Sequence, residues 1–205
     1  MVIFGNTPVI AFEIYRQITG TTMTTRYIAL LRGINVGGHM VKMEQLRGLF
    51  AELGLANVRS YINSGNIFFD TTEEDRLLLA EKIEQHLQSA LGYEVPVFLR
   101  TPAEVAAIME QDPFRDIGLT DDKRFCVVFT DTPLSEELDL PVPSSKNDMD
   151  LVGMNRHEAF VVWYIINARP PSGRFPEKVL PARNTTRFFH TLKKILAAAQ
   201  DNGKK

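Results

Sequence analysis

The chain has one cysteine, one tryptophan and four histidines among 205 residues, and no apolar run approaching the length of a membrane span. A single cysteine excludes a disulfide framework and a Cys-based metal site, and it suits a reducing cytoplasm. Cys126 lies inside the apolar run Phe125 to Phe129, where it reads as a small buried hydrophobe rather than a reactive thiol. His39, His86, His157 and His190 are scattered, without HExxH or an i,i+4 pair, so no metal site is expected. Neither GxGxxG nor a P-loop occurs, and no cofactor is expected. A large excess of one charge is missing too: the formal charge is −2 and the pI near 6.1, which argues against wholesale polyanion binding.

What is present is globular in composition, 44% hydrophobic and 23% charged, enough for one domain or two small ones. The charge is unevenly spread. From Glu110 to Asp150 there are eleven acidic and four basic residues, and from Arg156 to Lys194 eight basic and two acidic. A basic C-terminal third can hold an anion in a mildly acidic chain, although two solvated faces that offset one another would show the same pattern.

The organising stretch is Arg26 to His39, RYIALLRGINVGGH: a buried strand delivering a glycine-rich, basic-edged loop to the end of a sheet. Helical spacing of Met43, Leu46, Leu49, Phe50 and Leu53 follows, stopped by Gly54. Val58 to Ile62 and Ile67 to Phe69 read as strands joined by a tight Asn63-Ser64-Gly65-Asn66 turn. A second helix, announced by Thr72 and Asp75, carries Leu79, Ile83, Leu87 and Leu91 to Gly92. With Val95 to Leu99 as a fourth strand, placed on an edge by Pro96, the order is β-α-β-β-α-β, a ferredoxin-like arrangement with sheet order 4-1-3-2.

The signals then repeat more loosely. A helix opens at Thr101-Pro102, a strand spans Phe125 to Phe129, and a hairpin turns near Asn155-Arg156. A loop rich in Pro, Gly and Arg leads to a final helix expected to start near Thr185-Thr186. The expected fold is α+β: two ferredoxin-like units packed together, the second incomplete. Residues 23–100 form the first unit and 101–205 the second, looser one. Residues 1–22 read as an N-terminal extension; they make a poor signal peptide, lacking a basic start and an unbroken apolar stretch. Several strands are apolar on both faces, so the second face must be covered by the other half or by a homodimer partner.

In this topology the loop after strand one and the hairpin after strand two emerge at one end of the sheet. Arg32, Asn35 and the amides of Gly37 and Gly38 are thereby expected near Ser64, Gly65 and Asn66, a nest with an arginine donor suited to phosphate or carboxylate. Thr186 and Arg187, at the expected helix start, form a second anion-favouring group, which joins the loop of Gly37 and Gly38 if the C-terminal helix packs across the open end of the first sheet. The competing reading has the glycines only shaping turns and Arg32 and Arg187 pairing with carboxylates. Asp148 and Asp150 are too few for a hard cation, and Ser64 has no evident base.

The motifs YIALLRGINVGG, MEQLRGLFAELG, YINSGNIFF and TTRFFHTLKKI together resemble the bacterial domain-of-unknown-function family numbered 1697, over about Thr24 to Ala199. In that family the late motif reads like TTRNWNT. Phe188, Phe189 and His190 depart from it, while Thr185, Thr186, Arg187 and Thr191 match. The resemblance implies paired ferredoxin-like units and implies no activity, cofactor or catalytic residue.

The favoured function is binding of a small phosphate- or carboxylate-bearing ligand between the two halves, whether or not a reaction follows, in a cytoplasmic monomer or homodimer with no membrane partner. A nucleic-acid-binding module is an alternative, since ferredoxin-like sheets include RNA readers, but IFFDTT does not match their RNP1 pattern. A protein-interaction scaffold is a third.

Overall fold

The computed structural model describes residues 23–38, 40–135 and 137–201. The extension expected at residues 1–22 and His39 lie outside the described residues. The fold is mixed α+β, with two antiparallel sheets and four helices among the described residues.

The first half runs β1 (Thr25–Leu31), α1 (Met43–Glu52), β2 (Ala56–Ser60), β3 (Asn66–Thr71), α2 (Arg76–Leu91) and β4 (Val97–Arg100), and its sheet has the order β2-β3-β1-β4. β1 lies in the sheet interior, with Ile28, Ala29 and Leu30 fully buried, which is why its run is apolar at every position. Helix α2 is capped by Asp75, whose carboxylate accepts from the amides of Leu77 and Leu78, and it stops at Gly92 in the left-handed region. Pro96 precedes the edge strand β4.

The second half contains α3 (Pro102–Gln111), β5 (Lys123–Thr130), β6 (Val142–Pro143), β7 (Met149–Met154), β8 (Glu158–Tyr164), β9 (Asn184–Phe188) and α4 (Phe189–Gln200), with sheet order β6-β7-β8-β5-β9. Thr101 and Glu104 close a reciprocal capping box at the start of α3. One expectation is corrected here. Thr185, Thr186 and Arg187 do not start a helix: they pair with Phe129, Val128 and Val127 as strand β9, and α4 begins only at Phe189. Two adjacent β-branched threonines fit a pleated strand better than a first helical turn, and Thr185 and Arg187 turn to one face while Thr186 takes the other.

The layers follow from which face each strand residue uses. α1 and α2 cover the outer face of the first sheet through Leu46, Phe50, Ile83 and Leu87. Its other face, with Ile28, Leu30, Phe68 and Phe98, shares a core with Val127, Phe129, Phe160 and Val162 of the second sheet, and α3 and α4 insert Val105, Ile108, Leu192 and Ile195 into it. The halves are thus joined by a common apolar layer, at about 25 cal/mol per Å² buried. Polar stitches reinforce it: Arg100, buried, pairs with Glu158 at 2.5 Å and donates to the carbonyls of Thr130 and His157.

Strands β7-β8-β5-β9 repeat the spatial order β2-β3-β1-β4, yet the crossings differ. In the first half both carry a helix; in the second, residues 131–148 and 165–183 cross without one. The outer face of the second sheet is therefore covered by loops, through Leu134, Val179 and Phe175, where the first sheet has α1 and α2. Loops fill that layer less completely than helices, and a hollow remains.

Candidate functional site

The hollow is a cavity of about 580 Å³ over the outer face of the second sheet. Its floor follows from strand parity. Val128 of β5, Val161 and Trp163 of β8, Met149 of β7 and Thr186 of β9 all point outward, while Phe160, Val162 and Arg187 point inward. Its roof is the loop before β9, contributing Gly173, Arg174, Phe175, Glu177, Leu180 and Ala182. Arg32, just after β1, is the first half's contribution to the rim.

The roof is held down by Asp148. Its carboxylate accepts from Ser144 Oγ at 2.7 Å and from the amides of Ser172 at 2.7 Å and Gly173 at 2.9 Å. A side chain at position 173 would press a Cβ onto Asp148 Oδ1 and to 2.7 Å from Ser144 Oγ, so the backbone approaches this closely only at glycine. Burial pushes the Asp148 carboxyl up, but the hydrogen bonds from Ser172, Ser144 and Gly173 outweigh it and the net shift is downward. The Ser145 amide donates to Arg174 O and Ser145 Oγ accepts from the Arg174 amide, at 2.9 and 3.0 Å. Asp150 accepts from Tyr164 Oη at 2.8 Å; burial and that carboxylate push the phenol up to about 12. Both acids of the Asp148/Asp150 pair are thus spent on structure, and no group of three or more potential metal ligands exists among the described residues.

Two cations line the cavity with no carboxylate paired to either, although Glu177 lies on the same roof. Arg32 donates from Nη1 to Ala182 O at 2.6 Å and otherwise faces solvent; Arg174 has a pinned backbone and a guanidinium with no partner among the described residues. Other cavities carry mixed or matched charge; one of about 440 Å³ is lined by Lys123 and Arg124 together with Asp121. In a second cavity, of about 380 Å³, Arg76 and Arg100 are paired with Glu104 and Glu158. A third, of about 200 Å³, is lined by Glu81, Glu84 and Glu94.

The residues expected to share one site fall into three places. Arg32 and Thr186 meet at the cavity. Gly65, Asn66 and Arg187 also converge, but in the interior, with the exposed Ser64 lending its carbonyl: Asn66 is fully buried and Arg187 is 8% exposed. The Arg187 guanidinium donates to Asn66 Oδ1, Thr185 Oγ1 and the carbonyls of Thr186, Leu31, Ser64 and Gly65, at 2.7 to 3.2 Å. No carboxylate pairs with it among the described residues, and burial pulls it down to about 10. Asn35 staples the β1 loop, donating to Asn63 O and accepting from the Val41 amide at 2.8 Å each, while Gly37 and Gly38 sit exposed and do not line the cavity. Missed in the sequence were Trp163, Phe175, Glu177 and Asn184. Trp163 had a usable signal, since it shares parity with Val161 on a strand; the loop residues had none, because nothing local shows which strand a proline-rich loop will cover.

A solved structure similar to this chain is that of the conserved bacterial protein SP0830 from Streptococcus pneumoniae, with 28% identity and a TM-score of 0.64 over 87% of this chain and 100% of that one. No curated protein matches. The model of a family described as proteins of unknown function, DUF1697, matches residues 23–160, about two thirds of the sequence and including the loop after β1, the β2–β3 hairpin and, of the cavity floor, Val128 and Met149, and the chain belongs to that family.

Proposed function

We propose that the chain binds a small phosphate- or carboxylate-bearing ligand in the 580 Å³ cavity, between Arg32 of the first half and the sheet face of the second. The observation that carries this reading is that Arg32 and Arg174 line one cavity with no carboxylate on either. A guanidinium fork suits a planar or tetrahedral oxyanion, and two of them beside an apolar floor provide charge and a low-dielectric wall together. Thr186 adds a hydroxyl with no hydrogen-bond partner among the described residues. Arg187, Asn66, Ser64 and Gly65 then support the site from behind, because β9 carries Thr186 on one face and Arg187 on the other.

The same reading treats residues 23–100 and 101–205 as two ferredoxin-like units, the second lacking its crossover helices. The repeated strand order supports it. The ligand then occupies the space that those helices would fill.

Thermal-shift measurements with inorganic phosphate, citrate and sugar phosphates test the proposal. A ligand at 100 times its dissociation constant adds about 2.7 kcal/mol to stability. Arg174→Ala should remove the shift and leave the unliganded melting temperature unchanged, because its side chain holds nothing else. A shift that survives both Arg174→Ala and Arg32→Ala would put the ligand elsewhere.

A further inference from the structure

We infer that the anion carries a planar heteroaromatic ring, so that the ligand is of mononucleotide type; the inference rests on the anion-binding reading above. Two aromatic side chains line the cavity from opposite layers, Trp163 from the sheet and Phe175 from the loop over it. Their rings make no contact with each other: Trp163 meets Phe188 edge to face at 5.6 Å, and Phe175 packs on the apolar cluster beneath the loop. The space between floor and roof is bounded by two aromatic side chains and by Val128, Met149 and Val161, the surroundings that a flat ring exploits and a bare phosphate does not. The cavity falls within the roughly 300–1,000 Å³ that holds a ligand of this size.

The polar atoms fit the rest of such a molecule. Arg32 and Arg174 are the cations. Glu177 forms no ion pair, and Asn184 donates to Pro181 O while its Oδ1 stays open, both among the described residues. Together with Thr186 they offer acceptors for ring amino groups and sugar hydroxyls. A long-chain carboxylate would use the apolar floor and leave those acceptors without the donors that a nucleotide supplies.

The test compares AMP, GMP, CMP and UMP with ribose 5-phosphate and inorganic phosphate on the full chain, by thermal shift and by quenching of the single tryptophan, Trp163, which makes the optical signal specific to this cavity. Mononucleotides should bind about tenfold or more tightly than ribose 5-phosphate, in line with base–aromatic stacking, and should quench Trp163. Phe175→Leu, which keeps the apolar packing and removes the ring, should erase most of that advantage and leave ribose 5-phosphate binding unchanged. Quenching in the unaltered chain stands as evidence even if the variant folds poorly. Equal binding of ribose 5-phosphate and the mononucleotides would overturn the ring and leave the anion site standing. No response to any probe would overturn both.

Discussion

Arg187 Nε donates a 2.7 Å hydrogen bond to Asn66 Oδ1 across 121 residues of chain, and this bond ties the last strand of the second sheet to the hairpin of the first. All five N–H groups of the guanidinium have neutral oxygens in reach, including the carbonyls of Leu31, Ser64 and Gly65. Gly65 belongs to the same joint: its φ is +69°, and a Cβ there would lie 2.9 Å from Leu31 Cβ.

Replacing Arg187 by alanine strands those buried acceptors, and the expected loss is about 3–5 kcal/mol of unfolding free energy in urea titration. Arg187→Lys should recover little, because a compact ammonium cannot span the same oxygens. A loss below about 1 kcal/mol would show that water replaces the guanidinium and that the strut is dispensable.

Asp148 makes stability depend on pH with a definite sign. Its folded pKa is depressed, so the unfolded chain binds the proton more readily, and the contribution is present above the ordinary carboxylate value near 3.9 and lost as pH falls through the folded pKa. Asp148→Asn should therefore melt below the unaltered chain at neutral pH, with the gap narrowing in acid. Melting curves from about pH 7 to pH 2 measure it; a gap independent of pH would mean that shape, not charge, holds the roof.

Ile62 stands in the left-handed region at φ +51° and is 47% exposed. A β-branched residue is strained there, by roughly 1–2 kcal/mol, and little burial offsets it. Ile62→Asn should raise the unfolding free energy by about 1 kcal/mol. An unchanged or lower value would reveal packing on the hairpin that compensates for the strain.

Cys126 is fully buried, and desolvation raises its thiol well above the ordinary value. An aromatic disulfide reagent should label it only as fast as the chain opens, with full labelling in denaturant. Rapid stoichiometric labelling of the native chain would contradict the burial of β5.

Most of the first half was legible because its signals are local. The glycine stops at Gly54 and Gly92, the Asp75 cap and the Asn63–Asn66 turn each act within a few residues, and together they spell out β-α-β-β-α-β without any tertiary contact. The start of α4 was misplaced because Thr185-Thr186 suits a helix cap and a strand alike; pairing with β5, remote in sequence, settles it.

The sequence by itself determined the apolar strands and most of the caps and turns, since periodicity and turn chemistry act over a few residues. Only the tertiary structure decided that Arg187 meets the hairpin in the interior and that Arg32 and Arg174 line one cavity with no carboxylate paired to either. It also decided that a loop without a helix, pinned by Asp148 to Ser172 and Gly173, leaves a cavity over Trp163. These depend on which side chains reach across the molecule and how well a layer is filled, and burial of charge is a property of the packed whole.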